Sequence, residues 1–163
     1  MDGLFAAFAR AADRDRDLRL VVVGTLGKLA PLMRTALARS RVDPGRVVIT
    51  GEIDDATLAA AYAGAETLLH AAWLEGFGLT ALESLAAGTP VVGYRAGAVA
   101  EVVGDAGVLV DDRDPDALGE ALVTLLGDDT LWSRLGDLAK PRAARFSWDR
   151  AADDTLALYR SLA

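Results

Sequence analysis

Cysteine is absent from the 163-residue chain, and histidine occurs once, as His70. The first absence excludes disulfides, thiolate zinc sites, iron–sulfur clusters and cysteine nucleophiles; the second excludes a multi-histidine metal site. Positive charge is scarce too. Seventeen Lys and Arg face 24 Asp and Glu, for a formal net charge of -7 and a pI near 4.6. With no basic cluster, such a surface repels a phosphate backbone, so no nucleic-acid partner is expected. No uncharged run approaches the ~20 residues that span a bilayer. The opening stretch MDGLFAAFARAADRDRD acquires charge too early for a signal peptide. These absences lead to the expectation of a cytoplasmic chain, or one peripheral to the inner face of the membrane. Apolar material, by contrast, is plentiful: 52% hydrophobic residues against 25% charged, with a mean hydropathy of +0.25. That is enough for a core and too much for a disordered chain. The length fits a single domain over residues 1–163, with no repeat or linker.

Short apolar runs alternate with longer helical ones. A helical pattern opens the chain with Leu4, Phe5, Phe8 and Ala12. Leu18 to Val23 then reads as a buried strand, followed by a helix over Leu29 to Ser40. Val47 to Thr50 is a second strand, and Asp54 or Asp55 caps a helix to Gly64. Thr67 to His70 is a third strand, and a helix over about Leu79 to Ala87 stops at Gly88. Pro90 to Gly93 and Val108 to Val110 supply two more strands. Helices follow from Pro115 to about Leu126, over Leu131 to Ala139, and from a Ser147 cap over about 149–162. Strands alternating with helices predict an α/β fold with a doubly wound, Rossmann-like parallel sheet.

In such sheets ligands bind beyond the carboxyl ends of the strands. The richest loop there is Trp73-Leu74-Glu75-Gly76-Phe77-Gly78-Leu79. Two glycines before a helix let the backbone approach a ligand and leave the first N–H groups free for an anion such as a diphosphate. A tight turn that needs two glycines is the alternative. Glu83, one turn beyond Leu79, is the one charged residue between Glu75 and Arg95. It lies either on a solvent stripe or half-buried for a ligand. Two carboxylates flanking an anion-binding helix start suit a sugar, whose hydroxyls donate to them while amides hold phosphate.

The run from Glu75 through Gly-Phe-Gly-Leu-Thr-Ala-Leu to Glu83, continuing Ser-Leu-Ala-Ala-Gly-Thr-Pro-Val-Val, resembles the signature of retaining nucleotide-sugar glycosyltransferases of family 4. Its two glutamates are separated by seven residues. The likeness extends through Val47 to Ile53, Leu58 with Tyr62, Ala98 to Val103, Gly107 to Val110, and Phe146-Ser147-Trp148. It implies the C-terminal, donor-binding half of a two-domain GT-B-type enzyme. Glu75 would contact the transferred sugar, and the amides of Gly76, Phe77, Gly78 and Leu79 the sugar and diphosphate. Glu83 would take the ribose hydroxyls, while Gly51, Glu52 and Ile53 would meet the nucleobase. The donor would be a UDP- or GDP-sugar, the acceptor is not specified, and no metal or other cofactor is implied.

The resemblance also implies departures. The family's donor domain opens with a central strand and a loop carrying an arginine and a lysine for the diphosphate. By this alignment the present chain opens at the following helix, without that strand, loop or acceptor domain. The expectation is a vacancy between the strands at Leu18 to Val23 and Thr67 to His70, or a strand supplied by an N-terminal domain or another chain. The glycine pair usual near Gly97 reads Gly97-Ala98. An alternative function is that of a truncated, non-catalytic nucleotide-binding or assembly module. The terminal helix is expected to pack on its own domain or lie partly free. His70 reads as a satisfied structural histidine or a ligand contact, and Trp73 as packing or a pocket wall. Lys28 follows Gly24-Thr25-Leu26-Gly27 without P-loop spacing. Arg95 is a candidate substitute for the missing cations. Arg10, Arg14, Arg16 and Arg19, interleaved with aspartates, read as a solvated face.

Overall fold

Short apolar runs, most of them rich in valine, form the strands, and the longer stretches between them return as helices. In chain order these are α1 (Asp2–Ala12), β1 (Leu20–Val23), α2 (Ala30–Arg39), β2 (Val47–Gly51), α3 (Asp55–Ala63), β3 (Leu68–His70) and α4 (Leu79–Ala87). They continue as β4 (Val91–Tyr94), α5 (Val99–Val103), β5 (Gly107–Val110), α6 (Pro115–Leu126), α7 (Asp129–Ala143) and α8 (Trp148–Leu162). The computed structural model describes residues 2–25, 27–111 and 113–162. Leu26, inside the Gly24–Lys28 stretch, lies outside them.

Among the described residues every strand-to-strand ladder is parallel, as the βαβ alternation requires. β1 pairs with β2, and β4 lies between β3 and β5. β1 and β3 do not pair, so among the described residues the expected single sheet is two parallel sheets, with the vacancy falling at the expected place. The two are joined through α1. Its Phe5, Phe8 and Ala12 cluster with Met33 and Ala36, against Leu20, Val22 and Leu69. Its Ala7 and Ala11 turn instead to α6 and β4, among Leu118, Leu122, Val92 and Tyr94. A third cluster packs Leu85 and Ala81 of α4 against Val91, α5 and α7.

Local signals act as read. Asp54, Asp114 and Asp128 cap α3, α6 and α7 by accepting from the N–H groups of Thr57, Asp116 and Leu131. Ser147 accepts from the Arg150 N–H at the start of α8. The expected helix at Leu131 begins two residues earlier, behind its Asp128 cap, and runs past Pro141 to Ala143. α5 is an addition: five residues with no side-chain cap carry no strong helical signal. α8 buries none of its residues. Arg10 is a correction: it pairs with Asp116 and Glu120, tying α1 to α6 rather than facing solvent alone.

Candidate functional site

β3 ends at His70, and the chain turns through Trp73 to Gly78 into α4. Gly78 is the N-cap, with φ of 95°, a left-handed conformation that a side chain would oppose. Having no side chain, it also supplies no cap, unlike the aspartates before α3, α6 and α7. The first ladder bond runs from the Leu82 N–H to the Gly78 carbonyl. The N–H groups of Leu79, Thr80 and Ala81 therefore have no partner within the helix, at the positive end of its dipole.

Three contacts fix this turn. A Cβ at Gly97, where φ is 53°, would overlap the Glu75 carbonyl oxygen, so the loop after β4 presses directly on the Glu75 backbone. The Phe77 ring meets Phe146 edge-on at 5.9 Å, anchoring the turn to the α7–α8 junction. The Glu75 carboxylate, one-third exposed, has Oε2 3.7 Å from Nε2 of His70. Trp73, at 58% exposure, does not serve as packing.

Glu83 is exposed on α4 and accepts a 3.0 Å hydrogen bond from the Tyr62 hydroxyl of α3. Burial, then this bond to a carboxylate, push the Tyr62 hydroxyl far above its ordinary range. The structure thus gives Glu75 and Glu83 separate partners on β3 and α3. At the end of β2, Gly51 (φ 70°) accepts from the Gly24 N–H at 2.9 Å, linking the loops after β1 and β2. Glu52 is exposed and Ile53 half-buried. Among the described residues, no hydrogen bond joins this loop to the Glu75–Glu83 segment.

Two secondary candidates change. Arg95 is paired with Asp111, so its charge is already engaged beside β5. His70 is 7% exposed, yet among the described residues its Nδ1 has no partner, so it is buried without being satisfied. Burial lowers its proton affinity more than Glu75 raises it. Among the described residues, no group of three His, Asp or Glu is placed to hold a metal. No described helix is long and apolar enough to cross a membrane. Sequence reasoning missed the His70–Glu75 proximity, the Tyr62–Glu83 bond and the Gly97 contact. The one available signal was Gly97, a glycine in the loop that follows a buried strand.

The family profile for Glycosyl transferases group 1 matches residues 1–128. The chain belongs to that family. It is 36% identical over 151 residues to a D-inositol 3-phosphate glycosyltransferase of Corynebacterium diphtheriae, covering 90% of this chain and 35% of that protein. It is 39% identical over 162 residues to an MMP alpha-(1->4)-mannosyltransferase of Mycolicibacterium hassiacum, covering 96% of this chain and 38% of that one. Its fold matches the sucrose-phosphate synthase of Thermosynechococcus elongatus with a TM-score of 0.74 at 27% identity, over 97% of this chain and 42% of the other. The chain spans 35% and 38% of the length of those two curated relatives. Its Rossmann-like fold corresponds to the C-terminal half of a GT-B glycosyltransferase.

Proposed function

We propose that this chain is the donor-binding half of a retaining glycosyltransferase, which moves a hexose from a nucleoside-diphosphate sugar to an acceptor hydroxyl. The carrying observation is the start of α4: a glycine N-cap that leaves three amides open, with Glu75 before it and Glu83 one turn inside. Amides at a helix N-terminus suit a diphosphate, and they would stabilise the charge that builds on it as the sugar departs. Glu75 would accept from a hydroxyl of the transferred sugar. Glu83, held by Tyr62, would accept from the ribose, and the Gly51-Glu52-Ile53 loop would meet the base. The names of the relatives, an inositol-phosphate glycosyltransferase and a mannosyltransferase, support a hexose donor and a hydroxyl acceptor. The retaining course rests on the family resemblance of the glutamate pair.

Titration calorimetry with UDP, GDP, UDP-glucose and GDP-mannose tests this reading. One nucleotide series should bind, and Glu83→Ala should weaken it about tenfold or more through the lost ribose contact. Unchanged affinity in the variant removes the role given to Glu83. The unpaired edges of β1 and β3, together with the unburied α8, favour a second reading. On that reading the chain acts within a larger assembly and, by itself, binds without transferring. Sugar transfer by the isolated chain would defeat it.

A further inference from the structure

We propose that His70 is a positioning residue for Glu75: the Nε2–H of its neutral imidazole holds the carboxylate in place at the mouth of the glycine turn. What this means for the transferred sugar rests on the donor-binding reading above; the contact itself does not.

His70 is the last residue of β3, and its backbone is set by pairing with Gly93 of β4. A Cβ at Gly93 would come within 2.8 Å of the His70 carbonyl oxygen and 3.0 Å of its Cβ. The missing side chain at Gly93 thus lets His70 sit close against β4. The ring is 7% exposed, its Nε2 faces Glu75, and its Nδ1 is buried without a partner among the described residues. Gly93 brings no charge from β4, and Glu75 is the charged group that acts on the ring.

A neutral imidazole carries one N–H, and only one of its two placements suits this pocket. With the proton on Nε2, a donor faces the carboxylate and the unpartnered Nδ1 keeps only a lone pair. With the proton on Nδ1, a buried donor is stranded and a lone pair opposes the carboxylate. The first arrangement is favoured on both counts. The present 3.7 Å separation exceeds a charge-assisted hydrogen bond by about 0.8 Å, a distance that a small torsional change of the glutamate closes. Gly97 already presses on the Glu75 backbone. His70 would therefore restrain the remaining freedom, that of the side chain. A carboxylate preset in this way accepts a sugar hydroxyl without first being ordered.

Having one histidine makes the test direct, because a single imidazole contributes to the nitrogen-correlated NMR spectrum of the labelled chain. The expected result near neutral pH is the Nε2–H tautomer. In Glu75→Gln the titration midpoint should fall, as the nearby negative charge that favours the protonated ring is lost. A dominant Nδ1–H tautomer, or a midpoint unmoved by Glu75→Gln, overturns the proposal. A second arm compares ligands. His70→Leu should weaken UDP-glucose or GDP-mannose about three- to tenfold, the loss of one hydrogen bond, while sparing UDP and GDP. His70→Gln, which keeps an N–H donor at similar reach, should restore much of the difference. Equal losses on nucleotide and sugar nucleotide would also overturn the proposal. If no nucleotide binds at all, the donor-binding reading fails while the NMR arm still decides the His70–Glu75 contact.

Discussion

β1 and β4 are both four-residue apolar strands, yet they end in opposite surroundings. Val21 of β1 is 51% exposed, whereas Val91 and Val92 of β4 are at 0%. β4 has a strand on each side, α6 over one face and α4 with α5 over the other, so both rows of its side chains are covered. The β1–β2 pair has α1 and α2 over one face, where Leu20 and Val22 meet Phe5, Phe8 and Met33. Its other face leaves Val21, Val23 and Val48 open. An apolar run therefore reports what a parallel strand is made to bury, and only its neighbours decide whether burial happens.

Point substitutions should expose this difference first. Leu85, fully buried between α4 and the three-stranded sheet, should lose about 2–5 kcal/mol as Leu85→Ala, read by urea unfolding. Val48→Ala, on the open face of β2, should cost under about 1 kcal/mol, since little burial is lost. Similar costs at the two positions would mean that the open face is covered in solution.

Arg46 gives a middle-sized test, because it bonds across the two-stranded region beside the buried cluster of α1 and α2. Its guanidinium donates to the carbonyls of Ala12, Asp15 and Leu18 and stands 5.8 Å from the centre of the Phe8 ring. It thus pins the α1–β1 connection to the start of β2. Arg46→Ala strands several carbonyls and should cost about 1–3 kcal/mol in the same unfolding experiment. A loss below that range would show that water replaces the guanidinium.

Much of this fold was legible because its signals are local. Aspartates before α3 and α6 cap them, Gly78 and Gly88 bound α4, and the runs at Val47 and Val91 make strands. What was not legible depends on partners distant in sequence. The uncovered face of β1 follows from what packs nearby, and α5 is held by Val99, Val102 and Val103 packing into the core rather than by a cap. At the candidate site, the glycine turn and both glutamates could be read from spacing. The engagement of Arg95 by Asp111 and of Glu83 by Tyr62 could not, since each joins segments on different strands or helices. His70 shows the limit most clearly: burial was foreseeable at a strand end, but which nitrogen lacks a partner is settled only by packing.

The smallest expected effect again separates the two sheets, because the three-stranded sheet ends in His70 while neither strand of the open pair contains a titratable side chain. Burial holds the folded imidazole below its ordinary value, so the folded state resists a proton that the unfolded chain accepts near pH 6.5. The contribution of His70 to stability is therefore complete above about pH 6.5. It declines as the pH falls through that value, and it levels off once the folded ring also protonates. Carboxylates impose their own acid dependence on the whole molecule, so the quantity to follow is the difference in unfolding free energy between the wild-type chain and His70→Gln. That difference should shift against the wild type on acidification from about pH 7 to 5, with a slope no steeper than about 1.4 kcal/mol per pH unit for one proton. A constant difference would mean that the ring takes up its proton equally in the folded and unfolded chains, and that the pocket beneath Glu75 is open to water.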